Sequence, residues 1–123
     1  GASIVSGSYD NTVKVWSVES GDCVTTFEGH SNTVSSVSFS PDNASIVSGS
    51  YDKTVKVWSV ESGECVTTFE GHSGWVTSVS FSPDGASIVS GSGDNTVKVW
   101  GKKEDKEIYL QSIKYAVENI KKN

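Results

Sequence analysis

The sequence has no methionine, two prolines and two cysteines, and each scarcity excludes something. With Gly1 first and no methionine anywhere, no initiator is present, so the 123 residues are expected to be a fragment, a processed product or a trimmed piece. Cys23 and Cys65 stand 42 residues apart. That spacing gives neither the dense cysteine framework of a small secreted scaffold nor the close Cys and His pairs of a zinc site. No run approaches the roughly 20 apolar residues that a helix needs to span a bilayer, and no charged-then-apolar leader opens the chain. The protein is therefore expected inside the cell, in the cytoplasm, without membrane insertion. Basic residues are outnumbered, 10 against 15 acidic ones, and the net charge of -5 repels a phosphate backbone, so nucleic acid is not an expected partner. A phosphate-cradling loop and a Gly-x-Ser-x-Gly elbow are also missing.

What the sequence does have is repetition. Residues 2–28 return as 44–70 with only Asn11 replaced by Lys53 and Asp22 by Glu64. Residues 29–58 return as 71–100 with a handful of substitutions, so a period of 42 residues runs through about 100 residues without slippage. Within one period, four short runs rich in Val, Ser, Thr and aromatics are separated by turn residues, the mark of antiparallel sheet. These runs are A (34–40), B (45–50), C (54–59) and D (64–69), with Pro, Asp, Asn and Gly where the chain reverses. Run C alternates, placing Val55 and Val57 on one face and Lys56 and Trp58 on the other.

Gly29-His30 opens a unit, Ser40-Pro41-Asp42 follows run A, and Ser48-Gly49-Ser50 precedes Asp52. Thr54-Val55-Lys56-Val57-Trp58 closes the pattern. Together these motifs resemble the WD-repeat family, whose repeats build β-propellers, and the resemblance covers about four-fifths of the chain. One departure is that Ser17, Ser59 and Gly101 follow the tryptophans where the family usually has Asp. The resemblance implies an all-β fold of four-stranded antiparallel propeller blades: a partial blade at 1–28, a full blade at 29–70 and a partial blade at 71–100. Ten strands make two and a half blades, short of the roughly four to eight that close a ring.

The same resemblance implies a hydrogen-bonded tetrad in each blade, tying the D–A loop to the B–C turn. Here the tetrads are His30, Ser48, Asp52 and Trp58, then His72, Ser90, Asp94 and Trp100, while the first unit retains Ser6, Asp10 and Trp16. The chemistry agrees, because a buried tryptophan N–H needs an acceptor. Ser, His and Asp are also the ingredients of a hydrolytic triad. An active site is needed once, whereas this trio recurs with every repeat, as a structural network requires. No catalytic, cofactor or metal site is expected. The two cysteines, copies of one position in neighbouring blades, are expected to be reduced and structural.

Alternating strand direction puts the D–A loop at the same end as the B–C turn, so one face collects Asn32, Thr33 and Tyr51, or Gly74, Trp75 and Gly93. In the WD-repeat family this is the usual partner face, and here it is where the copies differ. Thr33 to Trp75 is the largest change, and an aromatic at such a junction is either an interface anchor or packing against the neighbouring blade. From Gly101 the composition turns basic. Leu110, Ile113, Val117 and Ile120 then recur three and four apart, the spacing of an amphipathic helix that would dock its stripe on protein. An alternative reading makes 106–112 the fourth strand of the last blade. The expected function is a non-catalytic scaffold for protein–protein interaction, its partner another copy of the chain or a larger complex. The rival is a purely structural, self-assembling repeat whose helix drives oligomerisation or caps the open blade.

Overall fold

The computed structural model describes residues 2–101, and the predicted tail helix with its stripe lies outside them. Ten strands follow one another: β1 (Ser3–Gly7), β2 (Val13–Ser17), β3 (Cys23–Phe27), β4 (Val34–Phe39), β5 (Ser45–Ser50), β6 (Thr54–Ser59), β7 (Cys65–Glu70), β8 (Val76–Phe81), β9 (Ser87–Ser92) and β10 (Val97–Gly101). They form three antiparallel meanders, β1-β2-β3, β4-β5-β6-β7 and β8-β9-β10. Each sheet is one blade.

Strand limits follow from what the flanking side chains do. Run A was expected to reach Ser40, yet β4 ends at Phe39. The Ser40 hydroxyl turns inward instead, donating to Asp42 Oδ1 (2.5 Å) and accepting the Ser45 N–H (3.0 Å). Run D was expected to begin at Glu64, but the Glu64 carbonyl accepts the Ser59 N–H (2.9 Å) and stays in the turn, so β7 runs Cys65–Glu70. The β5/β6 turn requires a left-handed residue, φ 75° at Lys53, where the other two copies have Asn11 (75°) and Asn95 (71°). Asparagine tolerates that conformation better than lysine does.

The alternation of the strands of the second blade feeds two cores at once, because that blade is covered on both faces. Val13, Val15 and Phe27 of the first blade pack on Val34, Ile46 and Trp58 of the second. One period later, Val55, Val57 and Phe69 of the second blade pack on Val76, Ile88 and Trp100 of the third. Phe27 lies 5.6 Å, ring centre to ring centre, from Trp58, and Phe69 lies 5.1 Å from Trp100. Sheets approach closely at Gly49, where a Cβ would come within 2.6 Å of Val76. On the outer faces the same residue types are uncovered: Val97 is 72% exposed whereas Val55 is 0%. Cys23 and Cys65 are free thiols, exposed at the starts of edge strands β3 and β7. Exposure departs from the structural packing role expected of them.

Candidate functional site

The hydrogen-bond network of the second blade starts from the β5/β6 turn. Asp52 Oδ1 accepts the Thr54 N–H (2.9 Å) and hydroxyl (2.6 Å), which shapes the turn. This aims Oδ2 across to the loop before β4, where it meets His30 Nδ1 (2.8 Å) and accepts the Ser31 N–H (3.1 Å). His30 Nε2 lies 2.6 Å from Ser48 Oγ on β5. Ser48 Oγ also accepts the indole N–H of Trp58 on β6 (2.8 Å). One proton arrangement satisfies all four groups: Trp58 donates to Ser48, Ser48 donates to His30, and a neutral imidazole donates through Nδ1 to Asp52.

Electrostatics favours that arrangement. Burial pushes the imidazole of His30 below its ordinary value, outweighing the opposing pull of Asp52. Burial acts against ionisation of Asp52, but hydrogen bonds from Thr54, His30 and the Ser31 amide outweigh it and hold the carboxyl below its usual range. In the third blade the geometry repeats, with His72 Nδ1 to Asp94 Oδ2 at 2.9 Å, His72 Nε2 to Ser90 Oγ at 2.7 Å, and Trp100 to Ser90 at 2.8 Å. Hydrogen bonds, that from Thr96 foremost, depress Asp94 as well. The first blade has the Trp16–Ser6 bond (2.9 Å) and the Asp10–Thr12 turn (2.6 Å). Thr54 and Thr96 escaped the sequence reading, although Asp-x-Thr recurs at each turn and was a signal for them.

Ser, His and Asp therefore lie in line at hydrogen-bond distance, as they would in a hydrolase. The hydroxyl of Ser48 is nevertheless buried. Ser48 is 0% exposed, and its Oγ already accepts the Trp58 indole N–H. Acyl transfer needs an open cleft at the nucleophile, which a hydroxyl buried in this way does not have.

The residues of the expected partner face meet at one end of the blades. The Tyr51 N–H donates to the Thr33 carbonyl (2.9 Å), and the Gly93 N–H to the Trp75 carbonyl (2.8 Å), so loop and turn are bonded together in each blade. Asn32 braces the loop, its carbonyl accepting the Ser50 hydroxyl (3.1 Å) and its side chain the Thr33 N–H (2.7 Å). At Gly74 a Cβ would meet the Asp94 amide nitrogen at 2.8 Å, which keeps this loop bare. Trp75 packs against the neighbouring blade, one of its two expected roles. Its ring stacks on Tyr51 of the preceding blade, centroids 4.3 Å apart and planes 14° apart, yet it stays 54% exposed. The two roles do not compete, because one face of an indole can lie on a neighbour while the other meets solvent.

Repeated antiparallel meanders of three or four strands, stacked face to face and pinned in the second and third by a Trp–Ser–His–Asp network, define blades of a β-propeller. The chain belongs to the WD-repeat family: the profile described as "WD domain, G-beta repeat" matches residues 1–17, 21–59 and 63–101. The chain is 49% identical over 39 residues to coatomer subunit beta'-1 of Arabidopsis thaliana, covering 32% of this chain and 4% of that protein. It is 48% identical over 40 residues to dynein assembly factor with WD repeat domains 1 of Xenopus laevis, covering 32% and 10%. A third relative, mouse F-box-like/WD repeat-containing protein TBL1X, is 49% identical over 39 residues, covering 32% and 7%. Each match is about one repeat long, so the likeness is to the building block, and the chain spans only a small part of these relatives. WD repeats generally mediate protein–protein interaction as scaffolds. Among the described residues, no helix is long and apolar enough to cross a membrane.

Proposed function

We propose that this array is a non-catalytic scaffold inside the cell that binds a protein partner on the face bearing Asn32, Thr33, Tyr51 and Trp75. The observation that carries the reading is the stacked Tyr51–Trp75 pair, half open to solvent, at the one place where near-identical repeats differ most. Large aromatics of this kind dominate the energetics of protein interfaces. The names of the relatives, a coat subunit and an assembly factor, belong to multi-protein machinery and agree with a scaffold. In the test, the immobilised chain captures proteins from a cell extract and the affinity of an identified partner is measured for wild type and Trp75→Ala. A loss of more than about 1 kcal/mol with an unchanged thermal midpoint supports the reading. Unchanged affinity overturns it.

A second reading, an array that is structural and self-associates, is favoured by the uncovered outer faces. Val89 and Val97 of the third blade are exposed where their counterparts Val47 and Val55 are buried, and apolar area of that kind marks an interface. In this reading the basic segment from 102 onward is a separate unit. Its stripe of Leu110, Ile113, Val117 and Ile120 docks on such a face, of its own chain or of another copy. Sedimentation of the chain with and without residues 102–123 tests it. Identical mass and stability for two well-folded monomers overturns both docking and assembly.

A further inference from the structure

Two repeats of almost one sequence give one slot filled and one slot open. At the junction of the second and third blades, the ring of Trp75 covers Tyr51. One period earlier, at the junction of the first and second blades, Tyr9 takes the place of Tyr51 and Thr33 that of Trp75. Threonine has no ring to offer, and Tyr9 is left 87% exposed. A cavity of about 390 Å³ lies there, lined by Gly7, Tyr9, Thr33, Val34 and Tyr51 among others. That volume is at the small end of ligand pockets, roughly 300–1,000 Å³. The backbone around it is held by hydrogen bonds, the Val34 N–H donating to the Ser8 carbonyl (3.0 Å) and the Tyr51 N–H to the Thr33 carbonyl (2.9 Å).

We infer that the slot between Tyr9 and Tyr51, above Thr33, receives an aromatic side chain of a bound protein, its ring lying on Tyr9 as Trp75 lies on Tyr51. The molecule itself supplies the template for this occupant: a planar ring on an equivalent tyrosine, held by an equivalent loop, one repeat away. Among the described residues the slot has no charged lining residue that would select an ion, and stacking rewards any partner ring that is offset over a tyrosine. This assignment rests on the partner-face reading and adds the chemistry of what docks. It also divides the labour on that face. Trp75 contributes an aromatic from the scaffold, and the neighbouring slot accepts one from the partner.

The full chain, labelled with nitrogen-15, is titrated with N-acetyl-tryptophanamide and, separately, with N-acetyl-leucinamide at millimolar concentrations. The expected result is that tryptophanamide shifts the amide resonances of Tyr9 and Thr33 and binds roughly 2- to 10-fold more tightly than the leucine probe, the worth of one aromatic stack. Thr33→Trp, which copies the filled junction, is expected to fold with a thermal midpoint no lower than wild type and to weaken probe binding at least about fivefold. Tyr9→Ala is expected to weaken it equally, and it decides alone should Thr33→Trp not fold. No detectable binding, equal binding of the leucine probe, or binding unchanged in Tyr9→Ala overturns the inference. Failure of the broader reading shows differently: an identified partner would then bind Trp75→Ala as tightly as wild type. If that partner loses affinity in Trp75→Ala while the slot ignores the probe, the face stands and the slot falls.

Discussion

Gly49 and Gly91 occupy the same position of strand β5 and strand β9, one period apart, and a single methyl group added at each separates blade stacking from everything else. Neither has positive φ, so alanine strains neither backbone. At Gly49 a Cβ would lie 2.6 Å from Val76 Cγ1 and 2.8 Å from Val79 Cγ1, both in the buried core between the second and third blades. Carbon atoms prefer roughly 3.5–4.0 Å, so the two sheets must part or the valines must leave their rotamers. Overpacking of this kind costs about 1–3 kcal/mol. Alanine recovers roughly 0.5–1 kcal/mol because glycine loses more freedom on ordering. Gly49→Ala is therefore expected to destabilise by about 1–2 kcal/mol, or some 4–8 °C per kcal/mol in a domain of this size. At Gly91 a Cβ meets nothing among the described residues within 4 Å, and Gly91→Ala is expected to be neutral or to stabilise by up to about 1 kcal/mol. Urea denaturation of the two variants beside wild type measures both. Equal losses would refute the reasoning, since they would mean that the two glycines face equally crowded surfaces. A loss at Gly91 alone would also refute it.

Lys53→Asn, which restores the residue of the other two copies at a left-handed φ of 75°, should raise stability by about 0.5–1 kcal/mol in the same urea assay. Asp52→Ala removes the acceptor for His30, Ser31 and Thr54 and should cost about 1–3 kcal/mol, read as a lower thermal midpoint; an unchanged midpoint would count against the network. Acid should destabilise in two stages, because both depressed groups act in one direction. His30 sits below its ordinary 6.5 in the folded chain, so only the unfolded chain gains that proton as pH first drops below about 6.5. Asp52 sits below its ordinary 3.8, so its contribution holds above that value and is lost as pH falls further. A urea midpoint that does not change between pH 7 and 5 would contradict the first stage.

Strands B and C were legible because alternation, β-branched residues and turn chemistry all agree there: β5 and β6 begin and end where the side chains require. The ends of A and D were less so. Ser40 and Glu64 both carry strand-compatible residue types, and only the hydrogen bonds of their turns remove them from the ladder. The identity of the network residues came from the resemblance to the WD-repeat family, and the need of a buried tryptophan N–H for an acceptor agreed with it. What the sequence could not express is which sheet lies against which. Val55 and Val97 are copies in identical local sequence, yet one is buried and the other is 72% exposed. Likewise the stack of Trp75 on Tyr51 joins two blades, and no pattern within one blade contains it.

Near-identity of the repeats makes each blade a control for the next. Where two copies share a residue, a difference in exposure measures the neighbour alone, as at Val55 and Val97. Where two copies differ in residue but share backbone hydrogen bonds, the difference has been tolerated by the scaffold and is available to function. Thr33 and Trp75 satisfy that second condition: each carbonyl accepts the corresponding turn N–H, at 2.9 and 2.8 Å, although the side chains have nothing in common. Tyr51 and Gly93 are the donors of the same two bonds and differ just as widely. A core position could not vary this way, because Trp58 and Trp100 must each fill the gap beside a phenylalanine and reach a serine. The loop–turn face is thus a part of the blade where side chains as unlike as Thr33 and Trp75, or Tyr51 and Gly93, leave the backbone hydrogen bonds of the blade in place.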